Sequence, residues 1–149
     1  ATLLYKIVSL ASKVLVSKIE DLSNNSIQPQ VQMHNEASYC YKIKKDDTYL
    51  KFNTSAAEVL GKIKAFSPNP GAKCFIDGEL IKILDAKIED NSKLNKNVGC
   101  VTDENLLISC KYGFIRLLKI QRAGRKAMNA REFLNGWKVK KGLIINEKK

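Results

Sequence analysis

Nine basic side chains crowd the end of this 149-residue chain: Arg116, Lys119, Arg122, Arg125, Lys126 and Arg131, then Lys138, Lys140 and Lys141. Like charges at short intervals, set among apolar residues that must fold, make a surface for a polyanion. All four arginines, Arg116, Arg122, Arg125 and Arg131, lie here, and the arginine fork meets phosphate oxygens with two parallel hydrogen bonds. The asymmetry along the chain is steep. Residues 111–149 hold 12 Lys+Arg against 2 Asp+Glu, a net of +10, whereas residues 1–110 hold 14 against 13, a net of +1. A solvated basic tail would give the same count, but the interleaved apolar residues argue for ordered structure. Arg122, Arg125, Lys126, Arg131, Lys138 and Lys140 are the first candidates for phosphate contact, with Lys42 and Lys64 as additions from other elements.

Other chemistry lacks its parts. The sequence has no glycine-rich phosphate loop, no nucleophile elbow and no pair of catalytic carboxylates in a recognisable frame. Cys40, Cys74, Cys100 and Cys110 are too far apart for a CxxC pair, and the single histidine, His34, does not complete a zinc site with them. Free, mostly buried thiols are expected. A cysteine nucleophile needs a base, and His34 sits in a polar stretch with no Asp, Cys or second His beside it, so no catalytic, metal or cofactor residue is assigned. Tyr5, Tyr39, Tyr41 and Tyr49 have the chemistry for base stacking, but an aromatic at a strand position is more often core. No run reaches the ~18–20 apolar residues of a membrane helix, and no leader pattern opens the chain. A cytoplasmic protein with one main core and no membrane role is expected, since 44% of the residues are apolar.

These candidates need elements to position them. Thr2 to Leu22 reads as a helix, with apolar residues from Leu3 to Leu22 at three- and four-residue steps. Residues 23–38 are polar and follow neither period, which predicts a linker. Tyr39 to Ile43 and Thr48 to Phe52 read as short strands around the turn residues Lys44, Lys45, Asp46 and Asp47. Ser55 and Glu58 form a capping box for a helix that must stop at Ser67, ahead of Pro68 and Pro70. Lys73 to Ile76 and Leu80 to Ile88 then form a hairpin around Asp77-Gly78. A polar loop over 89–97 follows, then strands at Val98 to Thr102, Leu106 to Cys110 and Phe114 to Gln121. Asn129 caps a last short helix ended by Gly136. Many short strands with one inserted helix predict a mainly β fold, an open barrel of the oligonucleotide/oligosaccharide-binding type.

Lys64-Ala65-Phe66-Ser67-Pro68-Asn69-Pro70-Gly71-Ala72 and two further motifs, Gln121 to Met128 and Glu132 to Gly136, make the chain resemble the C-terminal part of the methionyl-tRNA formyltransferase family. The first is similar to the family's Arg-Ala-Phe-Asn-Pro-Trp-Pro-Gly-Ala. Gln121 to Met128 is similar to its Gln-Pro-x-Gly-Lys-x-Met, and Glu132-Phe133-Leu134-Asn135-Gly136 to its Asp-Phe-Leu-Asn-Gly. Upstream, Ala37-Ser38-Tyr39 with Lys42-Ile43, and Phe52 followed by Ser55-Ala56-Ala57, resemble its Ala-Thr-Tyr with Lys-Ile and its Trp-x-x-Ser-Ala. The order agrees, and the resemblance covers essentially the whole chain. Two positions depart: Asn69 stands where the family has Trp, and Arg122 where it has Pro.

The resemblance implies three parts. Residues 1–22 would be the last helix of a Rossmann-type catalytic domain, 23–38 a linker, and 39–149 a barrel domain that binds tRNA. The formyl-donor site and the family's catalytic Asn, His and Asp would lie in the catalytic domain outside this chain, so His34 inherits no role and this portion binds no cofactor. The intact enzyme would transfer a formyl group from 10-formyltetrahydrofolate to the amino group of initiator methionyl-tRNA, in translation initiation. Phosphate contacts fix register without reading sequence, so tRNA selection would rest mainly on the catalytic part. Two other readings compete. One is a bracing domain of a related formyltransferase or formyltetrahydrofolate hydrolase with no nucleic-acid role. The other is a stand-alone single-strand binder, which needs exposed stacking aromatics.

Overall fold

The computed structural model describes residues 2–145, and the chain divides into two compact units, residues 1–42 and 43–149. In the first, helix α1 (Thr2–Ser23) forms where the apolar spacing predicts it. It closes on Asn25, which takes the left-handed conformation at φ 53°. The Ser26 N–H donates to the Asp21 carbonyl at 3.0 Å and the Asn25 N–H to that of Leu22 at 3.2 Å, a Schellman closure with asparagine in glycine's usual place. The apolar side chains of α1 are exposed, Leu4, Ile7, Leu15 and Ile19 among them.

Residues 24–42 carry one short 3-10 turn, His34–Glu36, with no buried side chain. Tyr39 to Ile43, expected as a strand, is not one, and Tyr41 is 88% exposed. Strands are held by cross-strand neighbours, and this segment has no ladder partner among the described residues. Its alternating side chains are therefore not enough.

The second unit is mainly β. Five antiparallel strands take the order β1-β2-β4-β3, with β5 also on β4. β1 (Ala72–Ile76) and β2 (Glu79–Leu94) form the predicted hairpin. Asp77 and Gly78 have φ 48° and 79°, the two positive values that a two-residue type I′ turn requires. β4 (Tyr112–Arg122) is the spine: it pairs with β2 on one side, and on the other with β3 (Leu107–Ser109) and then β5 (Met128–Asn129). The mainly β class and the helix ahead of the hairpin agree with the sequence. The sheet stays open, with no β1–β3 pairing among the described residues.

Helix α2 (Ala56–Phe66) is started by the Ser55 hydroxyl, which accepts from the Glu58 N–H at 3.2 Å. The hydroxyl also donates to the Glu58 carboxylate at 3.0 Å, so the carboxylate engages the Ser55 side chain. The helix stops at Ser67, whose hydroxyl donates to the Leu84 carbonyl at 2.7 Å and ties the helix end to β2. Val59 and Ile63 of α2 join Ile76, Ile81, Ile83, Ile108, Ile115 and Ile120 in the core. Taking each such side chain out of water contributes about 1.5–3 kcal/mol.

Three further segments differ from expectation. β2 runs on to Leu94 through the residues read as a polar loop; β4 supplies its ladder, and the strand bulges between Ile88 and Leu94, so it needs no apolar face there. Val98 to Thr102 is not a regular strand. Its backbone is shared: the Val101 N–H donates to the Leu143 carbonyl, the Ile145 N–H to that of Gly99, and the Thr102 N–H to that of Leu107, leaving only isolated bridges. At 48–52, Lys45–Thr48 is a 3-10 turn and Tyr49 makes a single rung beside Lys73. The Tyr49 carbonyl goes to the Lys62 ammonium at 2.7 Å instead of to a ladder.

Candidate nucleic-acid interface

The basic segment splits by neighbourhood into neutralised arginines and unpaired cations. Arg116, in the middle of β4, has its fork filled. Its Nε donates to Glu89 at 2.7 Å, Nη2 to Asp103 at 2.9 Å and Nη1 to the Asn105 carbonyl at 3.1 Å. The Arg116 hydrogen bond, helped by that of Lys87, holds the Glu89 carboxyl below its usual range. At Asp103 burial pushes the carboxyl up, but hydrogen bonds from Arg116 and from the Leu107 and Asn105 N–H groups outweigh it and leave it low. The same carboxylate thereby pins the turn in which Leu106 takes φ 57°. Arg116 is a strut of the sheet.

Arg122, at the end of β4, is held in a similar way. Its Nε and Nη2 donate to the two oxygens of Glu79, each at 2.8 Å. Its guanidinium carbon lies 4.7 Å from the centre of the Trp137 ring, and that ring meets Phe133 at 5.2 Å. The Arg122 hydrogen bond keeps the Glu79 carboxyl low, and Glu79 in turn raises Arg122. This contact fastens the end of helix α3 (Ala130–Gly136) to the hairpin. A fork bidentate to carboxylate and stacked on an indole has little left to offer a phosphate.

The other candidates are exposed. Arg125 and Lys126 are exposed on the turn between β4 and β5, where the Arg125 carbonyl accepts from Gln121 Nε2 at 2.9 Å. Arg131 is exposed in the first turn of α3, whose start is fixed by the Asn129 N–H donating to the Glu132 carboxylate at 3.1 Å. Lys138 and Lys140 are exposed on either side of buried Val139, and residues two apart in extended chain share a face. Among the described residues none of these five side chains has an ion pair. Lys64 is exposed in the last turn of α2, and Lys42 is exposed at the end of the first unit. Between β4 and α3 lies an open groove of about 760 Å³, rimmed by Lys87, Asn105, Arg116, Arg131 and Glu132.

The sequence reading missed the acids that neutralise Arg116 and Arg122. Glu89 and Glu79 lie 27 and 43 residues away and arrive through the β2–β4 register, and Asp103, 13 residues away, arrives from the turn before β3. The remaining reactive types are quiet. Burial pushes the thiols of Cys74 and Cys110 up to about 12, Cys40 is exposed, and His34 lies in the exposed turn of the first unit. Among the described residues no group of His, Cys, Asp and Glu could hold a metal ion, and no helix is long and apolar enough to cross a membrane.

Residues 42–138 match the family described as formyl transferase, C-terminal domain. Among curated proteins the chain is similar to the methionyl-tRNA formyltransferase of Natranaerobius thermophilus, 31% identical over 146 residues. It is also similar to that of Campylobacter jejuni, 34% identical over 137 residues. These alignments cover 94% and 90% of this chain but 47% and 43% of the relatives, so the chain spans about half the length of the curated relatives it matches. Among solved structures the fold is similar to part of HypX from Aquifex aeolicus in complex with tetrahydrofolic acid. The TM-score there is 0.57 at 15% identity, over 82% of this chain and 22% of that one. The match over residues 42–138, with relatives 31% and 34% identical along most of the chain, shows that this chain belongs to the formyl transferase C-terminal domain family.

Proposed function

We propose that this chain is the tRNA-holding part of a methionyl-tRNA formyltransferase, acting in the cytoplasm. The whole enzyme would transfer a formyl group from 10-formyltetrahydrofolate to the amino group of initiator methionyl-tRNA. The observation that carries this reading is the set of exposed cations without ion pairs, Arg125, Lys126, Arg131, Lys138 and Lys140, on one continuous stretch of the second unit. Lys64 of the same unit adds to it, Arg122 ties the end of α3 to the hairpin, and Lys42 of the first unit is a separate candidate. Phosphates held there would fix the orientation of the acceptor arm without reading its bases.

No residue here is assigned to the formyl donor. The donor site and the catalytic groups belong to a Rossmann-type domain against which the exposed apolar strip of α1 would pack. Residues 1–22 are then read with that domain, 23–38 as the linker and 39–149 as the tRNA-binding domain. An exposed apolar strip of this extent is the usual mark of a surface meant for a partner.

Reversing the charges of Arg125 and Lys126 to Glu is expected to weaken binding to initiator and elongator tRNA alike, about tenfold or more, while leaving the melting temperature near that of the parent chain. Unchanged affinity would overturn the assignment. The bracing-domain reading draws on the internal neutralisation of Arg116 and Arg122, and it predicts no measurable tRNA affinity at all.

A further inference from the structure

The sheet carries a second basic row that a count along the chain does not reveal. Lys73 on β1 stands directly opposite Lys82 on β2, and Lys82 stands opposite Gln121 on β4. Both lysines alternate with the buried residues Ala72, Cys74, Ile81 and Ile83, so they share the outer face of the sheet, where each is half-buried. A Cβ built on Gly71 would stand 3.0 Å from Cδ of Lys82, so the Lys82 stem is laid down along the protein surface, its head left to solvent. Among the described residues neither lysine ammonium has a side-chain hydrogen bond or an ion pair.

Like charges directly opposed across a strand pair destabilise the sheet, and half-burial weakens the screening that would relieve them. Two cations in register with no carboxylate between them therefore leave an unmet demand for an anion. The row also leads somewhere. Gln121 donates to the Arg125 carbonyl at 2.9 Å, so the turn that presents Arg125 and Lys126 is anchored to the end of the Lys73–Lys82–Gln121 row.

We infer that Lys73 and Lys82 form a phosphate subsite for a nucleic-acid backbone, which extends the proposed tRNA face from the β4–β5 turn across β2 to β1. This rests on the proposed tRNA-binding function. Lysine heads act as point charges on phosphate oxygens and carry no base specificity.

The test uses three forms of the 149-residue chain: the parent, Lys73→Gln/Lys82→Gln, and Arg125→Gln/Lys126→Gln. Each is titrated with methionyl-tRNA over a range of salt and melted without RNA. The Lys73/Lys82 variant should bind about tenfold more weakly near 0.1 M salt, with a log–log salt slope shallower by about 1.4–1.8, the change for two lost phosphate contacts. It should melt no lower than the parent, because the like-charge pair is gone. An unchanged slope in this variant, beside a shallower one for Arg125/Lys126, overturns the subsite and leaves the proposed function standing. If the parent binds no tRNA, the proposed function fails. The subsite is then judged by melting with inorganic tripolyphosphate: a larger upward shift for the parent than for the Lys73/Lys82 variant supports it, and equal shifts overturn it.

Discussion

Replacing Gly113 by alanine should be among the most damaging single-methyl changes in the sheet. Gly113 opens β4 where β2 bulges past it. A Cβ there would collide with the Asp90 carbonyl oxygen and lie 2.6 Å from Asn91 Cα and 2.8 Å from the Asp90 carbonyl carbon, all of them backbone atoms that no rotamer change can move aside. Its φ of 80° adds the left-handed penalty of about 1–2 kcal/mol. Forcing the strands apart adds roughly 1–3 kcal/mol, for a total of about 2–5 kcal/mol. Gly78→Ala is the control: φ is 79° there too, but nothing lies within 4 Å of the added carbon, so only the conformational part, about 1–2 kcal/mol, remains. With a urea slope of about 2 kcal/mol per M, the midpoint should fall by about 1–2.5 M for Gly113→Ala and about 0.5–1 M for Gly78→Ala. Equal midpoints for the two variants would refute the close approach of β2 and β4 on which the bulged register rests.

Two further outcomes concern single groups. Because Arg122 holds the folded Glu79 carboxyl below its ordinary 4.5, the stability it adds is fully present above that value and is lost as pH falls through the depressed one. Melting temperature should therefore drop more steeply below about pH 4.5 in the parent than in Glu79→Gln, and parallel curves would show that the Arg122 contact adds nothing to folding. Titration of the native chain with a thiol reagent near pH 8 should modify Cys40 at once. Cys74 and Cys110, with thiols pushed up to about 12, should react roughly 10³-fold more slowly for want of thiolate. Rapid modification of Cys74 or Cys110 would mean that the core opens far more readily than its packing allows.

What the sequence made legible was whatever local chemistry decides. The Asp77-Gly78 turn, the Ser55 cap, the stop at Pro68 and the apolar face of α1 each depend on residues within a few positions of one another, and each formed as read. Segments 39–43, 89–94 and 98–102 misled because a strand is decided by its neighbour. Polar residues 89–94 have β4 beside them and extend, whereas Tyr39 to Ile43 has apolar alternation without a partner and does not. The site shows the same division. The charge count found Arg125, Lys126, Arg131, Lys138 and Lys140, which are exposed on the fold. It could not separate them from Arg116 and Arg122, whose acids arrive from β2 and the turn before β3, nor find Lys73 and Lys82, which only strand register brings face to face.

The central claim, that the second unit holds tRNA by its phosphates, is tested most directly by the affinity of this chain for methionyl-tRNA as a function of salt, with duplex DNA as a control. If the face neutralises ~5 phosphates, the log–log slope should be about −3.5 to −4.5, with roughly 10²-fold of affinity lost between 50 and 200 mM salt, and tRNA should be preferred over the duplex. A flat slope, or no binding at 50 mM salt, would contradict the account and leave the domain as a brace.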